Sequence, residues 1–309
     1  MKYKKILFVI PKVQASYAAK LDPHLGVAYL TAVLEKKGIE VEIFDFALDY
    51  QFSDLVNKVN GFKPDLIGIT LFSFDFVNSY KLIDKIKSSG IPLVAGGVHV
   101  SSTKEDVLKK TNVDYALYGE AENSILELCE GKELENIKGL IYRQDEEIIT
   151  NPPAQLIHDL NEIPFPAWEK FELEKYTYPQ EGRLQIATSR GCPYNCVYCA
   201  VKLSMGLGFR PRSPENVVGE IEHWYKKDYT FFEFVDDCFT LDINRAKQIC
   251  DLIIQKGLNI KWNCANGIRA DRVDEELLIK MKKAGCEFVA DGLETGSEKI
   301  LRRIKKGIT

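Results

Sequence analysis

Nowhere in the 309 residues is there a run of about 18 uncharged apolar residues, so no transmembrane helix is expected. The opening, MKYKKILFVIPKVQASYAAK, is basic and then apolar in the manner of a secretory leader. Its apolar run, ILFVIP, is too short for a signal h-region and reads as a buried strand. Neither charge sign is in excess: 41 Lys and Arg face 45 Asp and Glu, a net charge of −4. That balance argues against a general nucleic-acid or membrane-surface binder. There is no internal repeat and no low-complexity segment, so a repeat architecture is not expected. A cytoplasmic location is expected, where clustered cysteines are seldom disulfides and more often hold a metal or do catalysis.

What is present is a chain 45% hydrophobic and 28% charged, long enough for about two domains of ~150 residues. Over the first 130 residues short apolar runs alternate with amphipathic stretches. The runs are KILFVIP (5–11), EVEIFDF (40–46), DLIGITLF (65–72), PLVAGG (92–97) and YALYG (115–119). They do not alternate polar with apolar, so both faces of each strand are covered and the sheet is parallel and doubly wound. Five βα units of this kind predict a flavodoxin-like domain over 1–138, with ligands at the strand C-termini. GLIYRQDEEIITNP (139–152) reads as a hairpin. Pro152, Pro153, Pro164, Pro166 and Pro179 mark the rest of 139–182 as a linker.

A second βα series occupies 183–309: RLQIATS (183–189), FFEFVDD (231–237), IKWNCAN (260–266) and EFVADGLE (287–294). Four parallel units predict the first half of a (β/α) barrel, whose chemistry lies at strand C-termini. Four units leave an open strand edge before the sequence stops at RRIKKGIT, so a partial, truncated barrel is expected.

At the end of the first of these strands stands SRGCPYNCVYCA, with Cys192, Cys196 and Cys199 in a C-x-x-x-C-x-x-C spacing. Gly191, Pro193 and Asn195 favour a loop that can wrap three thiolates around one cluster. Three thiolates on a four-iron cubane leave one iron open. A structural zinc site wants four ligands in paired knuckles, and no second C-x-x-C or C-x-x-H pair exists. Cys129, Cys238, Cys250, Cys264 and Cys286 are scattered and read as small core residues.

GCPYNCVYC resembles the signature of the radical S-adenosylmethionine (SAM) enzymes. FVDDCF (234–239), WNCANGIRAD (262–271) and GLETGS (292–297) follow in that family's order. PHLGVAYLTAVL (23–34), VAGGVH (94–99), YGEAENSILEL (118–128) and IPFPAW (163–168) resemble its cobalamin-binding subfamily. The resemblance implies that Cys192, Cys196 and Cys199 ligate a [4Fe–4S] cluster whose fourth iron chelates SAM, which is cleaved reductively to a 5′-deoxyadenosyl radical. It implies Tyr198 near the adenine, Asp236 and Asp237 at the SAM ammonium, and Arg269 on its carboxylate. Glu294 and Ser297 would approach the ribose or methionine portion. Bland alternatives stand beside these: a solvated turn or helix N-cap for the aspartates, a surface loop for Arg269, a helix cap for Ser297.

For cobalamin the resemblance implies His24, Leu25, Gly26, Thr70, Ser73, Gly96, Gly97, Gly119 and Glu120. Gly96 and Gly97 would let backbone approach a bulky tail. The better-known cobalamin loop is D-x-H-x-x-G. Here, in DPHLG, Gly26 comes one residue early, so His24 is expected not to ligate cobalt. His99 has no assigned role, and His158 and His223 read as structural.

The implied function is a cobalamin-dependent methyltransferase acting on an unactivated carbon under anaerobic conditions. Its substrate would be a small molecule or peptide, and ferredoxin or flavodoxin would donate the electron. Alternatives are rearrangement or cyclisation without methylation, and a non-catalytic corrinoid or iron–sulfur module. A tRNA-methylthiolating relative would carry three further cysteines in the first domain, but the first cysteine here is Cys129.

Overall fold

In the computed structural model, which describes residues 1–13 and 22–308, each of those apolar runs becomes a strand. Residues 14–21, in the opening stretch quoted above, and Thr309, the last residue of the expected barrel domain, lie outside the description. Among the described residues no helix is long and apolar enough to cross a membrane. The chain divides into two units, Met1–Ile157 with Pro164–Thr177, and His158–Ile163 with Tyr178–Thr309.

The first unit is built on strands β1 (Lys5–Ile10), β2 (Glu40–Asp45), β3 (Leu66–Thr70), β4 (Leu93–Gly96), β5 (Tyr115–Leu117), β6 (Leu140–Gln144) and β7 (Glu147–Thr150). They lie in the order β2-β1-β3-β4-β5-β6-β7, the first five parallel. This is the doubly wound flavodoxin order, and its switch point lies between β1 and β3. Ile6, Leu7 and Val9 are wholly buried because helices cover both faces. Phe8 lies across Gly68 of β3, where a Cβ would stand 2.6 Å from the ring; glycine leaves the ring its place.

The hairpin forms, and it belongs to this sheet rather than to a linker. β6 pairs antiparallel with β5 (Ala116 opposite Ile141) and with β7. The proline-rich stretch is also divided. Residues 164–177 pack on the first unit, with Trp168 wholly buried and the Tyr176 hydroxyl donating to Asp45 at 2.7 Å. The linker expected over 139–182 therefore reduces to short crossings, because large aromatics in this stretch have apolar surface to bury.

The second unit carries β8 (Arg183–Ile186), a two-stranded antiparallel pair β9 (Ser189–Arg190) and β10 (Arg210–Pro211), then β11 (Phe231–Phe234), β12 (Lys261–Ile268) and β13 (Cys286–Asp291). Its parallel sheet has the order β13-β12-β11-β8, the succession of an opening (β/α) barrel. One sheet face packs on the helices through Leu184, Ile186, Phe232, Phe234 and Trp262, with Phe234 stacked on Trp262 at 4.5 Å. Three helices begin with a side chain that accepts an N–H of the first turn: Ser213, Asp242 and Asp274. All five scattered cysteines are buried, as core residues are.

Candidate functional site

At the C-terminal end of β8 the chain turns sharply through β9 into the cysteine loop, and the side chains around it hold that turn. Asp236, at the end of β11, accepts the backbone N–H groups of Thr188 (2.7 Å) and Ser189 (2.6 Å), and its other oxygen takes the Thr188 hydroxyl. The Arg212 guanidinium donates to Ala187 O at 2.9 Å, and that of Arg245 donates to Thr188 O. Asp237 accepts the N–H of Gly191 at 2.9 Å. Burial pushes both carboxyls above the usual carboxylate range, against the pull of the arginines and donors. Gly191 has φ +78, and a Cβ there would lie 2.4 Å from Gly208 O, so only glycine opens this loop.

Beyond it Cys196 is buried and Cys192 and Cys199 are half-buried, with the Cys199 N–H donating to Cys196 O at 3.1 Å. Burial raises the Cys192 thiol, and metal loading would have to displace its proton. Among the described residues no three His, Cys, Asp or Glu side chains converge as ligands of a single ion. A four-iron cluster seats each thiolate on a different iron, and three soft thiols on one glycine-opened loop are the donor set it takes. The residues present fit that group.

The other residues expected near SAM fall into separate groups. Asp236 points inward and is fully engaged with the β8–β9 turn. It is neither a solvated residue nor a helix cap, since the cap of the following helix is Asp242. Arg269 is not a surface arginine. It is 7% exposed, bonds Asp271 through Nε (2.9 Å), and donates to the carbonyls of Lys306 (2.8 Å) and Gly307 (3.3 Å). Tyr198 is exposed, and Lys306 Nζ donates to its hydroxyl at 3.4 Å while pairing with Glu294 at 2.8 Å. Ser297 stands at the N-cap of the last helix without a side-chain cap bond. The structure thus brings Tyr198 and Glu294 together around a lysine that the sequence reading passed over, and leaves Ser297 apart. Arg212 and Arg245 were passed over too. No spacing rule marks an arginine that serves backbone carbonyls.

At the C-terminal edge of the first sheet, His24 caps the helix Leu25–Lys36. Its Nδ1 accepts the Val27 N–H at 3.1 Å, so the ring proton is on Nε2, which donates to Thr70 Oγ1 at 3.2 Å. Burial lowers the imidazole to about 4, so the ring is neutral at pH 7. With both nitrogens engaged inside the unit, none is free for a metal. Gly97 has φ +96, and a Cβ there would meet Thr70 Oγ1 at 2.8 Å and Leu71 O at 2.9 Å. Gly96 precedes it at the end of β4, Gly26 lies under the His24 ring, and Leu25 opens the helix. Ser73, exposed, bonds His99 Nδ1 at 3.2 Å, and His99 itself is buried against Phe76 and the Tyr80 hydroxyl. Gly119, at φ +77, donates to Ser101 Oγ at 3.0 Å. Glu120 is buried and accepts the Ile157 N–H, a bracing role within the unit.

Residues 15–129 match the family model of the B12-binding domain, and residues 186–309 match that of the radical SAM superfamily. The whole chain aligns with 69% of an uncharacterized methyltransferase of Pyrococcus horikoshii at 35% identity. It aligns over 99% of its length with 58% of an anaerobic magnesium-protoporphyrin IX monomethyl ester cyclase of Rubrivivax gelatinosus at 29% identity. Among solved structures, the radical SAM methyltransferase TsrM of Kitasatospora setae, with cobalamin and a [4Fe–4S] cluster bound, superposes on 99% of this chain with a TM-score of 0.79 at 21% identity. That match covers 62% of the TsrM chain. The chain therefore spans roughly three-fifths to two-thirds of the length of these relatives.

Proposed function

Because this chain belongs to the radical SAM proteins that carry a B12-binding domain, we propose that it is a cobalamin-dependent radical SAM enzyme that methylates an unactivated carbon of a small molecule or peptide. When bound, the cluster supplies the electron that cleaves SAM to a 5′-deoxyadenosyl radical, and cobalamin supplies the methyl group. The chain's own residues do the holding. Cys192, Cys196 and Cys199 present thiolates from a loop whose entry is fixed by Gly191 and by the Asp237 carboxylate on its N–H. Asp236, Arg212 and Arg245 keep the preceding turn in place, so Asp236 acts through the backbone rather than on SAM. Tyr198 and Glu294, both bonded to Lys306 Nζ, are assigned to the adenosine portion of SAM. Asp237, Arg269 and Ser297 are assigned to its polar end.

On the first unit, the neutral His24–Thr70 pair and the Gly96–Gly97 bend form a lining with little charge, suited to cobalamin held by shape and without a histidine on cobalt. Leu25, Gly26, Ser73, Gly119 and Glu120 complete that assignment. The reaction is placed in an anaerobic cytoplasm, with ferredoxin or flavodoxin as reductant. The observation that carries the proposal is the glycine-opened three-thiol loop at the end of the first barrel strand. Cyclisation without methyl transfer is the second reading, favoured by the likeness to the cyclase.

The test is anaerobic reconstitution with iron, sulfide and hydroxocobalamin, followed by assays for 5′-deoxyadenosine and for a methyl group transferred from labelled SAM. Bound cluster, bound corrinoid and SAM cleavage together support the enzyme. Cluster without corrinoid sinks the assignment of the first unit, and bound zinc without cleavage sinks that of the second.

A further inference from the structure

The cysteine loop is tied at three points to the residues just after the last helix, Glu298–Arg303. The Val197 N–H donates to Ile304 O at 3.0 Å. The Tyr194 ring lies under the Arg269 guanidinium, 3.5 Å from its centroid, and that guanidinium donates to the carbonyls of Lys306 and Gly307. The Tyr198 hydroxyl takes the third tie, from Lys306 Nζ. These loop residues fill the gaps between the cysteines: Tyr194 lies between Cys192 and Cys196, and Val197 and Tyr198 lie between Cys196 and Cys199.

Lys306 is only 8% exposed, and a buried ammonium is costly unless paired. Its partner, Glu294, reaches it from a left-handed backbone (φ +61), which a residue with a Cβ adopts rarely. Lys305 and Gly307, on either side of the lysine, are left-handed as well (φ +56 and +72). Left-handed backbone at two residues with a Cβ, Glu294 and Lys305, beside the ion pair of the buried Lys306 with the exposed Glu294 marks a conformation that the surrounding contacts enforce.

We propose that Ile304–Gly307 clasps the cysteine loop, and that the Lys306–Glu294 pair is the charged element by which the clasp sets the electron affinity of the cluster. This rests on the iron–sulfur reading above. A four-iron cluster held by three thiolates is anionic and gains a further negative charge on reduction. A cation fixed in a largely dry place beside the loop favours the reduced form, and a lone carboxylate there opposes it. Lys306 and Glu294 are thus positioning residues whose charges act in opposite senses.

The experiment compares the full chain with Lys306→Met, Lys306→Arg and Glu294→Gln, each reconstituted anaerobically and titrated without SAM while the reduced cluster is followed by electron paramagnetic resonance. Lys306→Met leaves Glu294 unpaired and lowers the midpoint potential. Glu294→Gln leaves Lys306 unpaired and raises it, and Lys306→Arg stays near the wild type. A purely structural role moves both variants the same way or neither, and either result overturns the proposal. Amide hydrogen exchange on the metal-free chains tests the clasp without the cluster. Peptides covering 192–199 and 304–308 exchange at least tenfold faster in Lys306→Met, while those of the first unit are unchanged and report that the chain is folded. Unchanged exchange in the loop overturns the clasp. A wild-type chain that assembles no iron–sulfur cluster sinks the iron–sulfur reading instead, and the exchange comparison still decides whether the clasp exists.

Discussion

The two units put their functional loops at the same place, the C-terminal edge of a parallel sheet, and furnish them in opposite ways. Where β3, β4 and β5 end, the first edge is furnished mainly with uncharged groups: a neutral imidazole bonded to a threonine, glycines at φ +96 and +77, and Glu120, which braces the unit's own backbone. Asp45 and the Lys12–Asp49 pair lie toward the ends of β1 and β2. The second edge is crowded with ionisable groups: three thiols, Asp236 and Asp237, Arg245, Arg269, and the Lys306–Glu294 pair. Under the proposed function, a bulky ligand would be selected by shape at the first, and charged ligands would be fixed by paired donors and acceptors at the second. Added atoms should therefore damage the first edge most, and altered charge or altered donors the second.

The largest effect expected is at the second edge. Cys196→Ala removes one of three thiolates, and iron content and 5′-deoxyadenosine formation fall to background while corrinoid retention is unchanged. Retained SAM cleavage would break the assignment of the loop. Next comes Asp236→Asn, a change of one atom. Its amide oxygen keeps the two N–H groups that share one carboxylate oxygen, but these bonds lose their charge assistance and the Thr188 hydroxyl must turn to accept, costing about 2 kcal/mol in the second unit's urea unfolding and weakening iron retention. The first unit's transition should not move. At the first edge, Gly97→Ala forces a Cβ within 2.8 Å of Thr70 Oγ1 on a left-handed backbone. It costs about 2 kcal/mol and at least tenfold in corrinoid retention, with iron binding intact. If Gly97→Ala and Asp236→Asn each weakened both cofactors equally, the edges would not be independent.

How much of this was legible in the sequence follows the range of the interactions. The strand runs and their order were legible because a strand covered on both faces is apolar throughout, as KILFVIP is, and right-handed crossovers leave few orders open. The cysteine loop was legible because its three thiols are close together in sequence. The hairpin's allegiance was not, since two strands that pair with each other do not say which sheet edge they extend. Asp236 and Asp237 look equivalent in FVDD, yet successive residues at a strand end point to opposite sides, one onto the β8–β9 turn and the other onto Gly191. Lys306 sits in a basic run that reads as a solvated helix end. Only the fold brings it to Glu294 and to Tyr198, 108 residues away.

The smallest effect sharpens the claim that the His24–Thr70 part of the first edge is kept neutral. His24 holds its imidazole at about 4 in the folded chain, against an ordinary 6.5, because burial disfavours the charged ring. Below pH 6.5 the unfolded chain binds a proton that the folded chain refuses, so stability falls as the pH drops toward 4 and is fully present above 6.5. Between pH 7 and pH 5 the loss amounts to about 2 kcal/mol from this one group. His24→Asn keeps an oxygen to accept the Val27 N–H, since asparagine is a good N-cap, but it has nothing to titrate. The acid loss in the first unit, followed by hydrogen exchange of its β1 and β3 peptides, should then be shallower by that amount. If wild type and His24→Asn lose stability in parallel, the imidazole titrates in the fold as freely as in solution. The first edge would then tolerate charge as the second does, and the contrast between them would rest on the glycines alone.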